Sequence, residues 1–193
     1  MKSPCLMLLL ALYVCSYASA LTQFEQGFLD AHNAKRRIVN PSAANMKELK
    51  WSAELAIVAQ NYANKCTTEH NPYRNQQASF QEVGENLYWN TAQVSPSTAV
   101  DSWDNEKNYY NYGSNTCSPS KFCGHYTQVV WAETEYVGCA VAFCNPLDGF
   151  THPSAYHYVC NYGESGNTLG VKPYVSGTCQ CPSGYSCNNN LCQ

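Results

Sequence analysis

Four side chains of this sequence have the chemistry of a divalent-metal site: His70, Glu85, Glu106 and His125. Imidazole and carboxylate groups together suit Zn²⁺ by ligand type. Their spacing contains no tight metal-binding motif such as His-x-x-x-His, so the pattern alone does not join the four into one site. Each also has an ordinary structural interpretation, as a histidine satisfied at a helix end or as a carboxylate paired inside the fold.

Both histidines are expected at the ends of helices. His125 begins the short apolar segment 125–131 and follows Cys123, so a disulfide at Cys123 would fix its position and leave one imidazole edge free. His70 lies four residues beyond Cys66, near the C-terminal end of a predicted helix, where the helix dipole favours a cation. The two side chains are therefore expected on different elements of the fold.

The two carboxylates interrupt apolar patterns. Glu85 falls on the apolar side of a predicted strand over 85–89, and an unpaired buried carboxylate is costly, so it must have a partner or face a cavity. Glu106 falls in the apolar, aromatic row of a predicted third helix, which Ser95 caps. The sequence thus predicts a charged group inside each of two otherwise apolar surfaces.

The other predicted elements surround these positions. Thr22 and Glu25 have the form of a capping box, which predicts the start of a helix. Apolar residues at three- and four-residue spacing, and alternating residues further along, indicate the rest. These elements are a helix over 22–39, a helix over 52–66, and strands over 137–144 and 155–161.

The N-terminal 20 residues have the composition of a secretory signal. Lys2 is followed by an apolar run and then by the small residues Ala18, Ser19 and Ala20. The run is too short for a membrane span, and no second long apolar run follows, so we expect a soluble, exported, extracellular protein. Removing Lys2 changes the formal net charge from −3 to −4, and an acidic chain without a basic run argues against nucleic acid as a partner.

Cysteine usage also indicates an oxidising compartment. The chain has 12 cysteines, and ten remain after residues 1–20, an even number that predicts five disulfides. A metal site at Cys179-x-Cys181 is the weaker alternative. The spacing does not fix the connectivity. Our hypothesis pairs Cys66 with Cys144, Cys117 with Cys123, Cys139 with Cys160, Cys179 with Cys187, and Cys181 with Cys192.

Three blocks resemble the signatures of the CAP superfamily, which contains cysteine-rich secretory proteins, antigen 5 and pathogenesis-related 1. They are Gly-His-Tyr-Thr-Gln-Val-Val-Trp at 124–131, Cys-Asn-Tyr-Gly-Glu-Ser-Gly-Asn at 160–167 and Gly-Glu-Asn-Leu at 84–87. The resemblance covers about residues 24–170. It implies a signal peptide over 1–20, a CAP domain over 21–170 and, over 171–193, a cysteine-rich tail similar to the hinge of cysteine-rich secretory proteins.

The resemblance implies an α+β fold, a three-layer α-β-α sandwich, which agrees with the order of the predicted elements. It also implies a cleft built from two histidines and two acidic residues, which match His70, His125, Glu85 and Glu106. Such a cleft could hold Zn²⁺ without requiring it. The alternative is a buried polar network that keeps the sandwich rigid.

The family resemblance favours a binding protein over an enzyme. Relatives carry sterols and fatty acids, so we expect an apolar small molecule or an extracellular protein as partner. The candidate ligand-binding residues are Tyr109, Tyr110, Tyr112 and Phe122, around the Cys117–Cys123 loop, although ordinary loop packing would also explain them.

Two further functions are weaker expectations. A venom-type toxin or channel modulator is less favoured because the six-cysteine module of full-length relatives is not expected in a sequence that ends at Gln193. A metal-dependent protease is least favoured, because no serine or cysteine nucleophile with a base partner is apparent.

Overall fold

The structure is a computed structural model that describes residues 20–193, so the proposed signal sequence lies outside it except for Ala20. The helices are α1 Gln23–Arg37, α2 Ala53–Ala63, α3 Pro96–Asp104 and α4 Gly124–Val129. The longer strands are β2 Val83–Asn90, β5 Tyr136–Cys144 and β6 Ala155–Gly163. The two-residue strands are β1 Lys50–Trp51, β3 Tyr110–Asn111, β4 Thr116–Cys117, β7 Cys187–Asn188 and β8 Leu191–Cys192.

The helix starts are where the sequence predicted them. The Thr22 hydroxyl and the Glu25 carboxylate form the capping box of α1, and Ser52 and Ser95 accept hydrogen bonds at the N-termini of α2 and α3. The end of α2 comes earlier than predicted. Cys66 has a φ of 54°, in the left-handed region, so the helical backbone cannot continue to it.

The core sheet separates two helical layers. Its strand order is β1-β5-β6-β2, with β6 antiparallel to both of its neighbours and β1 parallel to β5. On one face α2 packs against Leu87 and Val159, while α1, α3 and α4 cover Tyr158 and Tyr162 on the other. The predicted three-layer α-β-α sandwich is confirmed, with β1 as an added short edge strand.

Five disulfides are present among the described residues, and they are the five pairs of the sequence hypothesis. Cys66–Cys144 ties the segment after α2 to β5, and Cys139–Cys160 joins directly opposed residues of β5 and β6. Cys117–Cys123 closes the loop that leads into α4. The last of these holds the start of the helix that carries His125.

The segment after Gly170, which the resemblance implied to be a cysteine-rich tail, contributes side chains to the core. Tyr174 is 3 % exposed and Leu191 is completely buried, and both belong to the main hydrophobic cluster. The Cys192 N–H donates to the Met46 carbonyl over 2.7 Å, and the Cys192 carbonyl accepts from the Glu48 N–H at 2.9 Å. The tail is poor in aliphatic residues, but its single leucine, in β8, fills a position in the core of the domain.

Among residues 20–193, no helix has the length and apolar character needed to cross a bilayer.

Candidate functional site

His70 and Glu85 form one half of the site. The Glu85 carboxylate, whose side chain is 1 % exposed, accepts hydrogen bonds at Oε1 from His70 Nδ1 over 2.8 Å and from the Asn71 N–H over 2.9 Å. Its Oε2 accepts from Asn161 Nδ2 at 3.2 Å. Strand β2 therefore carries a buried carboxylate with partners on both oxygens, as the predicted position required.

His125 and Glu106 form the other half. Glu106 Oε1 lies 2.7 Å from His125 Nδ1, and Oε2 accepts the N–H groups of His125 and Tyr126 at 3.0 and 3.1 Å. Glu106 lies in the 3₁₀ turn Asn105–Tyr109, just beyond the end of α3, and not within that helix as predicted. It satisfies amides at the start of α4 while it holds the imidazole of the same helix.

The two imidazoles line a common cleft of about 460 Å³. The carboxylates occupy Nδ1 of both rings, and no hydrogen bond to either Nε2 is found within residues 20–193. Phe122 approaches His125 edge-on with ring centroids 5.0 Å apart, and Trp103 stacks on it at 6.4 Å. Both rings thus have a set orientation with Nε2 as the remaining ligand atom.

This arrangement differs from the four-ligand site expected from the resemblance. Over residues 20–193, the sole group of three or more candidate ligand atoms within 4.8 Å of one another is Cys179, Cys181 and Cys192, which are all in disulfides. In the cleft, Glu85 and Glu106 contact the histidines instead of sharing a position with them. Each carboxylate thus has an imidazole Nδ1 as a hydrogen-bond partner.

A buried network supports His125 from behind. Asn86 Nδ2 donates to the His125 carbonyl and to the Tyr162 hydroxyl, both at 3.1 Å, and the same hydroxyl lies 2.8 Å from His32 Nε2. Burial lowers the pKa of His32 to about 4, so His32 is neutral at pH 7. His32 is therefore a buried, hydrogen-bonded core histidine of α1.

Arg36, which no sequence motif predicted, organises the end of α4. Its guanidinium is buried and donates to backbone carbonyls in two segments. The acceptors are the carbonyls of Lys47, Val129, Trp131, Ala132 and Thr134, at 2.6 to 3.4 Å. The available signal was the position of Arg36 one turn after His32, on the buried side of α1.

The four predicted aromatic ligand-binding residues do not line a single groove. Tyr110 and Phe122 line an apolar groove of about 370 Å³ between the Cys117–Cys123 loop and residues 167–173. Tyr112 stacks on Tyr174 with centroids 4.7 Å apart and lines a neighbouring groove. Tyr109 lies outside both grooves, with Lys121 Nζ 4.6 Å above its ring.

Comparison with known proteins decides the family. A family model described as "CAP: Cysteine-rich secretory protein family" matches residues 29–162 of this chain. The chain belongs to the CAP family. The matched region contains all four residues of the His/Glu cleft.

Curated relatives extend the match to most of the chain. Mouse "Peptidase inhibitor 16" is 44 % identical over 179 residues, which are 91 % of this chain and 35 % of that protein. Mouse "GLIPR1-like protein 1" is 42 % identical over 176 residues, which are 89 % of this chain and 72 % of the relative. This CAP chain therefore spans only about a third of the peptidase inhibitor's length.

Solved structures share its fold. The crystal structure of Na-ASP-1 covers 100 % of this chain with a TM-score of 0.74 at 26 % identity, over 52 % of its own length. The structure of NaASP2 with Zn²⁺ has a TM-score of 0.66 at 25 % identity and covers 88 % of this chain and 95 % of its own.

Proposed function

We propose that this CAP protein is a secreted binding protein whose cleft holds a divalent metal ion at His70 and His125. The observation that carries the proposal is the contact of each Nδ1 with a carboxylate, which leaves Nε2 of both rings as the ligand atom. Histidines that bind metals commonly donate their other ring N–H to a carboxylate, which fixes the tautomer and makes the ring more basic.

The donor set favours Zn²⁺. Imidazole nitrogen is a preferred zinc ligand, and the two carboxylates supply negative charge behind the rings. With two protein ligands, water or a group of a binding partner completes the coordination. The Zn²⁺ in the similar NaASP2 structure supports the choice of metal. A closed four-ligand site would bind more tightly, so we expect reversible binding.

Zn²⁺ is expected to raise the melting temperature at pH 7.5. A hundredfold excess over Kd stabilises a folded protein by about 2.7 kcal/mol, or roughly 5–10 °C for a domain of this size. At pH 5.5 the shift should shrink, because a protonated imidazole cannot bind the metal. Changing both His70 and His125 to alanine should abolish the shift, as followed by circular dichroism and calorimetric titration.

The matched control for this experiment is His152→Ala, which removes an exposed histidine elsewhere in the chain and should leave the shift intact. If millimolar Zn²⁺ leaves the wild-type melting temperature unchanged, the His/Glu cleft is a structural network alone.

The apolar groove favours a second binding function, for a sterol or a fatty acid. Its volume suits a small ligand, and Trp131, Tyr110 and Pro173 line it together with the Cys117–Cys123 disulfide. We therefore place the proposed lipid site at Tyr110 and Phe122, without Tyr109 and Tyr112.

Filling the groove should block this ligand. Thr168 lines the groove, so Thr168→Trp is expected to lower the affinity for a fluorescent sterol or fatty acid at least tenfold. Thr91→Trp, at an exposed site outside the groove, is the control and should bind normally. Equal affinities of the two variants would remove the groove as the ligand site.

We propose that the protein acts by binding and not by catalysis. A protein partner is the alternative occupant of these surfaces. Every cysteine within residues 20–193 is in a disulfide, and no serine hydroxyl in that part of the chain hydrogen-bonds to His70 or His125. Both cleft carboxylates already accept two or more hydrogen bonds. These features favour binding over hydrolysis.

A further inference from the structure

Four exposed apolar side chains border two adjoining grooves of the molecule. Phe122, Leu169 and Val171 are 61, 99 and 52 % exposed, and all three border the apolar groove described above. Val175 is 60 % exposed and borders the adjoining groove, which shares Val171, Trp131 and Pro173 with the first. We call Phe122, Leu169, Val171 and Val175 the apolar rim.

The charge around this rim is opposite in sign to that of the whole chain. Lys121 and Lys172 lie beside it, and within residues 20–193 neither forms an ion pair with a carboxylate. The groove between 117–123 and 167–173 has no acidic residue in its lining. Glu133 lines the adjoining groove, but it is paired with Lys47 at 3.1 Å.

Each of the two lysines lies over a tyrosine ring. Lys121 Nζ lies 4.6 Å from the Tyr109 ring centroid, and Lys172 Nζ lies 4.7 Å from that of Tyr112. Tyrosine and lysine together, next to protruding Leu, Val and Phe side chains, are the composition of a surface that lies in the headgroup region of a bilayer. Burial of the apolar groups and attraction to anionic lipids would act on the same face.

We propose that the apolar rim, with Lys121 and Lys172, docks this protein peripherally on a membrane that contains anionic lipids. The four rim side chains enter the interface, and the two ammonium groups contact the phosphate and carboxylate groups of the lipids. Docking this way places the groove mouth against the bilayer. The proposal concerns the rim, and it holds whether or not the groove itself carries a lipid.

Sedimentation with vesicles tests the docking. The wild-type protein should bind vesicles of phosphatidylcholine and phosphatidylserine at 7:3 and bind pure phosphatidylcholine more weakly. Changing both Phe122 and Leu169 to serine should lower the partition coefficient on the mixed vesicles at least tenfold, because two large apolar groups no longer insert. Lys121→Gln and Lys172→Gln should each lower it about fivefold on mixed vesicles and little on neutral ones.

The control is Ile57→Ser, since Ile57 is 62 % exposed, like Phe122, but lies on α2 in the opposite helical layer. All these side chains are at the surface, so far-ultraviolet circular dichroism should match the wild type. The proposal is overturned if the wild type binds neither vesicle, if Ile57→Ser reduces binding as much as the rim variant, or if the lysine changes have no effect on mixed vesicles. Thr168→Trp, which fills the groove, should still dock, and this separates docking from ligand binding.

Discussion

Arg36→Met is expected to lower the free energy of unfolding by more than about 4 kcal/mol. The substitution keeps most of the buried apolar volume but removes donors to five backbone carbonyls. Replacing a buried ion pair by apolar groups can be neutral when both partners change, but here the carbonyls remain. Those of Trp131 and Ala132 still accept backbone N–H groups at 3.2 Å, whereas those of Lys47, Val129 and Thr134 lose the guanidinium. Each unsatisfied buried acceptor costs about 1–3 kcal/mol, so partial rescue by water still leaves a large loss.

The adjacent arginine provides the control. Arg37 forms an ion pair with Glu48 at 2.7 Å on a partly exposed surface. Arg37→Met should therefore lower the free energy of unfolding by about 1 kcal/mol or less. Both variants can be compared by guanidinium denaturation with the disulfides intact. Similar midpoints for the two would show that the carbonyl contacts of Arg36 contribute little.

The same variant connects stability to the site. Arg36 holds the carbonyls of Val129 and Trp131, at the C-terminal end of the short helix that begins with Gly124 and His125. A six-residue helix has too few internal hydrogen bonds to be stable alone, so its position depends on such contacts. We therefore expect Arg36→Met to weaken Zn²⁺ binding as well as folding.

Local signals were sufficient for much of the fold. A cap such as Thr22 with Glu25, or Ser95 before Pro96, acts within four residues, so the helix starts could be predicted from sequence. The alternation over 137–144 gave β5, which runs over Tyr136–Cys144. The predicted end of α2 was wrong because the backbone at Cys66, where the disulfide to Cys144 forms, has a left-handed conformation.

The contacts between the proposed site residues could not be predicted from the sequence. Which nitrogen of His70 or His125 faces the cleft depends on carboxylates that lie 15 and 19 residues away in sequence. Side chains of an irregular segment have no periodicity, so the directions of Tyr109, Tyr110 and Tyr112 could not be deduced. Arg36 reaches carbonyls up to 98 residues away, which no sequence pattern encodes.

The packing of the cysteine-rich tail over 171–193 could not be predicted from its composition, which includes a single leucine. The backbone of Cys192 in this tail forms hydrogen bonds with Met46 and Glu48. The Cys181–Cys192 disulfide holds the neighbouring Leu191 in place. A composition average cannot show that one leucine occupies the core of another segment.

Two leucines that lie 22 positions apart provide the decisive test of this integration. Leu191 is fully buried in the main cluster, whereas Leu169 is 99 % exposed on the apolar rim. Leu191→Ala should destabilise the protein by about 3 kcal/mol, because it removes buried methyl groups and leaves a cavity. Two disulfides and backbone pairing prevent this region from collapsing into the cavity. Leu169→Ala should change the free energy of unfolding by less than about 0.5 kcal/mol.

A chain that ends at Gly170 extends the same argument. It loses Leu191, Tyr174 and the Pro173 carbonyl that accepts from the Ala132 N–H at 2.7 Å, next to the carbonyls that Arg36 holds. Losing both side chains together should lower the free energy of unfolding by more than about 5 kcal/mol. That loss is comparable to the whole stability of an ordinary domain. We expect the truncated protein to lack a cooperative thermal transition and a Zn²⁺ response. Cooperative melting of the truncated chain near the wild-type temperature would instead establish residues 21–170 as an independent domain.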